Sequence, residues 1–309
     1  MSSSPVLTVV MPTFNRRERL DQVLRSLAAQ DLDEPFEVVV VSDGSTDGTN
    51  EYLRSSDPPL DIVGVVQDNQ GPAGARNTGV ERASADLVVF VDDDVVADSG
   101  LLRAHLDAHE RHGPDAVVIG PMLDPDDHDM SPWIAWEQTM LAKQYEAMLR
   151  GDYDATARQF YTGNSSLRTR HLRDAGGFDP TFRRAEDIEL AYRLSEKGLT
   201  FHFEPDAVGL HYAERPYESW RNTAYVYGRN DIVFARAPGR EWLYGFVADV
   251  YWRHHPSIRL IVDRSVASPR WRTSLTRVFE RLLRLERLQR TDRAARYLLS
   301  GVYAIEYHN

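Results

Sequence analysis

Three consecutive aspartates, Asp92, Asp93 and Asp94, end an apolar run in this chain. The run, LVVFV at residues 87–91, is apolar enough to form a strand that is buried on both faces. Open α/β sheets bind their ligands at the carboxyl ends of such strands. Neighbouring carboxylates disfavour one another's charged forms unless a cation or a polyol compensates them, and Mg²⁺ or Mn²⁺ commonly bridges a carboxylate to a diphosphate. The three residues therefore predict a metal-dependent nucleotide site; the simpler alternative is a strand that ends in a solvated acidic turn.

Two further segments carry groups suited to a nucleotide. Asp43 lies in VSDGSTDGT at residues 41–49, after another apolar run, where its carboxylate could accept hydrogen bonds from a base. Arg76 lies in NQGPAGARNTG at residues 69–79, on the first turn of a predicted helix, where it could pair with a carboxylate or with phosphate oxygens. Taken singly, both segments have ordinary alternatives, because Asp-Gly turns are common in loops and ion pairs are common on protein surfaces.

These residues depend on a framework of alternating strands and helices. Up to residue 91, short β-branched runs alternate with polar, helix-like stretches, as in parallel βαβ units. This pattern predicts helices at 17–29 and 73–83 and four strands, at 6–11, 36–41, 62–66 and 87–91. Further along we predict helices at 133–149 and 188–198, an acidic loop at 123–129, and strands at 114–119, 201–203 and 207–210. The expected fold class is α/β, with a doubly wound sheet.

The charge of the chain is divided unevenly. The net charge is -11, with 19 basic against 38 acidic side chains in residues 1–214 and 17 against 9 in residues 215–309. Because neutralisation of phosphates by lysine and arginine supplies most nonspecific affinity for nucleic acid, the acidic first part argues against a nucleic-acid ligand. The absence of cysteine excludes disulfides, thiolate metal sites and cysteine nucleophiles.

The sequence also bears on location. The first residues lack the basic and apolar regions of a signal peptide, and no apolar stretch approaches the roughly 18 residues needed to span a bilayer. We therefore expect a cytoplasmic protein, at most peripheral to a membrane.

The last third of the chain is rich in arginine and predicted to be helical. Apolar residues recur at helical spacing between arginines and form a broad stripe: Trp271, Leu275, Val278, Phe279, Leu282 and Leu288. Such a helix packs on its own domain or on a second copy of the chain. The alternative is docking on an anionic membrane surface, where basic amphipathic helices also bind.

Taken together, five segments resemble the inverting nucleotide-sugar transferases of glycosyltransferase family 2. They are VVMPTFNR at 9–16, VSDGSTD at 41–47, the glycine-rich segment 71–79, FVDDD at 90–94, and the stretch from Gly163-Asn164 to EDIEL at 186–190. The resemblance implies a GT-A fold, a mixed but mainly parallel sheet flanked by helices, with a helical C-terminal extension. It implies a catalytic domain at 1–214, with a nucleotide-sugar half at about 1–97 and an acceptor half at about 98–214, followed by the extension at 215–309.

The resemblance also implies roles for individual residues of the donor site. Asp92 and Asp93 would hold the ribose and the sugar, and Asn164 would lie near the donor sugar or the acceptor. Asp94 would bind Mn²⁺ or Mg²⁺ on the diphosphate, with His211 completing the metal site. Thr13 and Asp43 would line the pocket for the base and the ribose, with Arg76 nearby. Pro12 and Asn15 complete the set of residues expected to bind the donor.

The acidic pair Glu186-Asp187 completes the predicted machinery. Inverting transfer needs a carboxylate that takes the proton of the acceptor hydroxyl as it attacks C1 of the sugar. By resemblance Asp187 is that base and Glu186 orients the acceptor or the sugar. The alternative is that both residues are ordinary acids at a helix start, where negative charge is favoured.

The expected function is transfer of a sugar from a nucleotide-diphosphate donor, with UDP favoured, to a hydroxyl of a glycan, a lipid-linked sugar or a small molecule. A nucleotidyltransferase is the first alternative, but such enzymes usually carry a glycine-rich loop with arginine and lysine after the first strand, and MPTFN at residues 11–15 differs. A catalytically silent scaffold on the same fold is the second; the presence of both acidic motifs disfavours it.

Overall fold

The computed structural model describes residues 4–55, 57–284 and 292–309. The chain divides into two compact units. The first extends to His128 and resumes over Leu141–Tyr212, and the second comprises Asp129–Met140 and Ala213–Asn309.

The first unit is built on strands and helices that alternate along the chain. Its strands are β1 (Thr8–Thr13), β2 (Glu37–Asp43), β3 (Val63–Gln67), β4 (Leu87–Val91), β5 (Val95–Ala97), β6 (Ala116–Ile119), β7 (Met122–Leu123), β8 (Asn164–Arg168), β9 (Thr200–Phe203) and β10 (Gly209–His211). The helices up to residue 196, of which the fifth begins within the second unit, are α1 (Arg17–Ala28), α2 (Thr49–Arg54), α3 (Gly71–Arg82), α4 (Leu101–His112), α5 (Pro132–Leu149), α6 (Thr169–Asp174) and α7 (Glu186–Glu196).

Seven strands form one mixed sheet in the order β3-β2-β1-β4-β8-β6-β9. Strand β8 runs antiparallel to both of its neighbours, and the other adjacent pairs are parallel. A smaller sheet has the order β5-β10-β7. The predicted fold class, a mainly parallel sheet flanked by helices, is confirmed.

Apolar patterning explains why these segments form these elements. Strand β4 is buried at every position, as expected of a strand with helices on both faces. Helix α1 places Leu20, Val23, Leu24 and Leu27 at the spacing of one helical face, and all four are buried. The core of this unit therefore lies between the valine-rich strands and their helices.

Strand register brings the polar strand ends together. In the parallel pairs, Thr13 of β1 lies opposite Ser42 of β2, next to Asp43, and Val10 lies opposite Phe90 of β4. The sequence predicted strand ends at residues 11 and 41. Both strands continue two residues further, because backbone pairing proceeds through the polar residues at this edge.

The smaller sheet was only partly predicted. Strand β5 follows the three aspartates directly, and β10 pairs with it antiparallel so that His211 lies opposite Val95. His211 is thus the last residue of a strand, whereas the sequence placed it after one. Strand β5 is too short, at Val95–Ala97, to show an alternating pattern of its own.

The second unit is helical. Residues 132–140 of α5 belong to it, together with α8 (Tyr217–Ala235), α9 (Trp242–Arg253), α10 (Pro256–Ala267), α11 (Pro269–Leu283) and α12 (Asp292–Tyr307). Its core is a cluster that includes Trp136, Trp220 and Phe279. No helix within the described ranges combines the length and the apolar character needed to cross a bilayer.

The predicted apolar stripe of the last third is divided by the structure. Phe279 is buried, and Leu275 and Leu282 pack against its cluster. Trp271 and Val278 are each 52% exposed. Leu288 lies outside the described residues. Contact of these C-terminal helices with a membrane or with a second copy stays a prediction.

Candidate active site

A cavity of about 560 Å³ opens in the first unit at the edge where β1, β2 and β4 end. Seven of the residues predicted for the site line it: Pro12, Thr13, Asp43, Arg76, Asp92, Asp93 and Asp94. Phe14, Arg16, Arg183 and Arg184 also line it and were not among the predicted residues.

Asp43 joins β2 to the amino terminus of α3. Its Oδ1 accepts hydrogen bonds from the backbone N–H of Gln70 and from Gln67 Nε2, both at 2.8 Å, and its Oδ2 accepts from the backbone N–H of Gly71 at 2.8 Å. The carboxylate therefore satisfies backbone donors that a helix start leaves without partners. Asp43 is only 4% exposed, so this arrangement fixes one wall of the cavity.

Asp93 is held by the first strand. Thr13 Oγ1 donates a hydrogen bond of 2.7 Å to Asp93 Oδ2. Burial and the negative charge of Asp94 raise the pKa of Asp93 to about 7, against the opposing influence of Arg16 and Thr13. A site with this much confined negative charge favours an incoming cation.

Arg16 supplies positive charge to the same carboxylates. Its Nη1 lies 2.5 Å from Asp94 Oδ2 and 3.6 Å from Asp93 Oδ1. The preceding residue, Asn15, adopts a left-handed backbone conformation with φ of 54°. Asn15 Oδ1 accepts a hydrogen bond of 2.7 Å from the backbone N–H of Thr46, so Asn15 connects two loops at this edge rather than lining the cavity.

Arg76 connects the aspartate cluster to the acidic pair. Its Nη2 donates to Asp92 Oδ1 at 2.7 Å and its Nη1 donates to Glu186 Oε1 at 2.8 Å. Arg76 is 5% exposed and Glu186 is 7% exposed. Since the two carboxylates come from segments far apart in sequence, this one guanidinium holds the two predicted halves of the site together.

Replacing Arg76 by Leu is expected to destabilise the first unit by about 3 kcal/mol, because it leaves Glu186 buried without its partner. Urea unfolding measures this change. Arg25→Leu is the matched control, since Arg25 forms an exposed pair with Asp21 on α1 and such pairs contribute little to stability. Equal stability of the two variants would contradict the proposed buried role of Arg76.

Glu186 and Asp187 begin α7, directly after Ala185, whose φ is 60°. A left-handed alanine is unusual, and such strained residues cluster at functional sites. Asp187 Oδ1 accepts a hydrogen bond of 2.8 Å from the backbone N–H of Ile188. Burial and the negative charge of Glu186 raise the pKa of Asp187 to about 7, although Arg76 acts in the opposite direction. A carboxyl group with this pKa can accept a proton near neutral pH.

His211 lies beside Asp94, as the strand pairing requires. The distance from His211 Nε2 to Asp94 Oδ1 is 3.6 Å. A carboxylate suits Mn²⁺ or Mg²⁺, which complete their coordination with substrate phosphates and water, and imidazole is a common metal ligand in proteins. Within the described parts of the chain, no group of three or more histidine, aspartate or glutamate side chains is arranged to hold a metal ion.

Asn164 lies elsewhere. Its side chain is fully buried, and Nδ2 donates to the carbonyl oxygens of Pro121 and Ala207 at 2.9 and 2.7 Å. Oδ1 lies 2.9 Å from His105 Nε2. As the first residue of a strand inside the sheet, Asn164 braces neighbouring loops and does not line the cavity.

The residues that sequence reasoning missed had weak signals. Arg16 stands within the first segment of the resemblance, next to Asn15. Arg183 and Arg184 stand just before the acidic pair, in FRRAED at 182–187. The position of these arginines next to the motifs was the only signal in the sequence. That they line the cavity follows from the tertiary fold.

Comparisons with known proteins point in one direction. The model of a family described as glycosyl transferase family 2 matches residues 8–134. Validoxylamine A glucosyltransferase from Streptomyces hygroscopicus subsp. jinggangensis (strain 5008) is 35% identical over 246 residues, which cover 70% of this chain and 57% of that protein. The chain thus spans little more than half the length of this relative.

Solved structures show the same fold. The mannosyltransferase PcManGT from Pyrobaculum calidifontis, in complex with GDP-Man and Mn²⁺, superposes with a TM-score of 0.62 at 20% identity, covering 99% of this chain and 87% of that chain. TarS 1-349 of S. aureus, in complex with UDP-GlcNAc, gives a TM-score of 0.59 at 19% identity, covering 97% and 90%. The predicted GT-A fold is confirmed.

Proposed function

Because this chain belongs to glycosyltransferase family 2, we propose that it transfers a sugar from a nucleoside-diphosphate sugar to an acceptor hydroxyl, with metal assistance and with inversion at the anomeric carbon. The observation that carries the proposal is the double ion pair of Arg76 with Asp92 and Glu186. It couples the donor-side aspartates to the acidic pair that contains the proposed base. The cavity of about 560 Å³, which is lined by the three aspartates and Arg76 but not by Glu186 or Asp187, suits a nucleotide sugar.

The donor is proposed to bind along the strand ends. Thr13 and Asp43 line the cavity and would contact the base and the ribose; Asp92 and Asp93 line it too and would contact the ribose and the sugar. We favour UDP as the nucleotide. Because the solved structures are complexes with UDP-GlcNAc or with GDP-Man, both uridine and guanosine nucleotides should be tested.

Asp94 and His211 would hold Mn²⁺ or Mg²⁺ on the diphosphate. When bound, the metal would act as a Lewis acid that stabilises negative charge on the departing nucleoside diphosphate. The protein's own contribution is to keep these two side chains converged, through the pairing of β5 with β10, and to offset the remaining negative charge with Arg16.

Asp187 is proposed as the base that takes the acceptor proton. The pKa of Asp187 is raised because burial and the charge of Glu186 favour its neutral form over its charged form. Glu186 is paired with Arg76, so we assign it to positioning. No covalent intermediate is needed for inversion, because the acceptor oxygen attacks C1 as the diphosphate leaves from the other side.

The pH dependence of transfer follows from this assignment. Since the base must be deprotonated and the pKa of Asp187 is about 7, kcat/KM is expected to rise about tenfold per pH unit up to about pH 7 and then to level off. The profile is measured at saturating Mn²⁺, because a bound cation lowers the pKa of the neighbouring aspartates. A flat profile between pH 5.5 and 8 would be inconsistent with Asp187 as the base.

The acceptor is proposed to be a glycan, a lipid-linked sugar or a small molecule. The name of the relative, validoxylamine A glucosyltransferase, supports including small molecules among the acceptors tested. The test is a screen of UDP- and GDP-sugars with Mn²⁺ and mixed acceptors. Release of a nucleoside diphosphate together with a glycosylated product supports the proposal, and release of pyrophosphate would instead indicate a nucleotidyltransferase.

A further inference from the structure

The loop before the acidic pair delivers two arginines to the cavity. Arg183 and Arg184 line it together with the three aspartates. Of the cations at this site, Arg16 is paired with Asp94, and Arg76 is paired with Asp92 and Glu186. Their positive charge is therefore already committed to carboxylates of the protein.

Arg183 differs from these two arginines. Among the described residues, none forms a hydrogen bond or an ion pair with its guanidinium. Arg184, by contrast, does have a partner. Arg183 thus brings a positive charge and free donors to a cavity whose floor is acidic.

A close contact places the Arg183 guanidinium against the start of α3. Gly71 has a φ of +83°, and a Cβ built there would overlap Arg183 Nη1 and lie 3.3 Å from Cζ. Glycine is favoured at residue 71 by its backbone conformation, and its lack of a side chain lets the guanidinium pack directly on the backbone. The backbone N–H of Gly71 donates to Asp43, so Arg183 lies beside the hydrogen bond that joins Asp43 to the start of α3.

The loop that carries Arg183 is fixed at both ends. At its start, Asn77 of α3 donates to the carbonyl oxygen of Phe178 and accepts from its N–H, each at 2.8 Å. Arg193 of α7 donates to the carbonyl oxygen of Gly177 at 2.8 Å. At its end, the left-handed Ala185 leads into the helix. Such fixation reduces the ordering cost of binding.

We propose that Arg183 binds the diphosphate of the donor and stabilises the negative charge that develops when the diphosphate leaves. The inference rests on the proposed function of this cavity. A guanidinium is always charged and offers a planar fork of donors that matches phosphate oxygens. Arg183 transfers no proton in this role; the diphosphate would accept its hydrogen bonds, as carboxylates of the protein accept those of Arg16 and Arg76.

The test compares a nucleoside diphosphate with its nucleoside. Calorimetry with Mn²⁺ measures the binding of UDP and GDP, and ligand-observed NMR measures the binding of uridine and guanosine. Arg183→Ala is expected to weaken binding of the preferred diphosphate by about tenfold or more, the loss expected for one charge-assisted hydrogen bond, while nucleoside binding stays unchanged. Arg183→Lys should fall between wild type and Arg183→Ala, because it keeps the charge without the fork.

Arg173→Ala is the matched control, since Arg173 is exposed on α6 and does not line the cavity. Diphosphate affinity of Arg183→Ala equal to that of this control would overturn the inference. An equal loss for diphosphate and nucleoside would also overturn it, by showing a general disturbance of the site. If the wild-type protein binds neither diphosphate with Mn²⁺, the proposed function itself fails, which is a distinguishable result.

Discussion

Replacing Asp187 by Asn is expected to lower kcat at least about a thousandfold and to leave nucleoside-diphosphate affinity within about twofold of wild type. Asparagine keeps the shape of the side chain but cannot take a proton from the acceptor hydroxyl. The donor would still meet Thr13, Asp43 and the aspartate cluster, whose side chains the variant keeps. Steady-state transfer assays and calorimetry on the same preparation measure both quantities.

The control for this experiment is Asp174→Asn. Asp174 is an exposed carboxylate at the end of α6 and lies outside the cavity, so its substitution should leave kcat unchanged. Wild-type turnover in Asp187→Asn would assign the base to another residue. A parallel loss of nucleotide affinity would indicate that Asp187 supports the structure of the site rather than proton transfer.

The second large effect concerns the metal. Asp94→Ala is expected to lower kcat/KM at least about a thousandfold, because a Lewis-acidic metal supplies several kcal/mol of transition-state stabilisation. The same substitution should abolish the Mn²⁺ dependence of nucleotide binding, which calorimetry with and without EDTA measures. His211→Ala should act in the same direction with a smaller effect, since it keeps the carboxylate.

Asp61→Ala is the matched control, because Asp61 is exposed and does not line the cavity. Metal dependence that survives in both Asp94→Ala and His211→Ala would remove the proposed metal site. Loss of metal dependence together with a lower midpoint of thermal unfolding would instead point to the ion pair of Arg16 with Asp94 as a structural contact.

Much of the framework of the site was predictable from local sequence. The run at 87–91 forms β4 with the predicted bounds, because an apolar, β-branched segment followed by charges leaves few alternatives to a buried strand. Helix α1 could likewise be predicted, because its buried leucines and valine recur at helical spacing. The parallel register of β1, β2 and β4 then places Thr13, Asp43 and Asp92 at one edge.

The contacts that make the site specific were not predictable in this way. Arg76 reaches Glu186 across 110 positions of sequence, and no local pattern records that pairing. Asn164 stands in a segment of the family resemblance, yet its amide is used to brace backbone carbonyls inside the fold. Nothing in the local sequence separates Arg183 from Arg184; its position over Gly71 and its lack of a partner among the described residues follow from the tertiary fold.

We propose above all that the cavity binds a nucleoside diphosphate through a divalent metal. The most direct measurement is calorimetric titration of the wild-type protein with UDP, GDP, ADP and TDP in the presence of Mn²⁺, repeated after addition of EDTA. We expect one-to-one binding of one diphosphate, with UDP favoured, and its loss when the metal is removed. Absence of binding by all four in the presence of Mn²⁺, or binding that EDTA leaves unchanged, would contradict it.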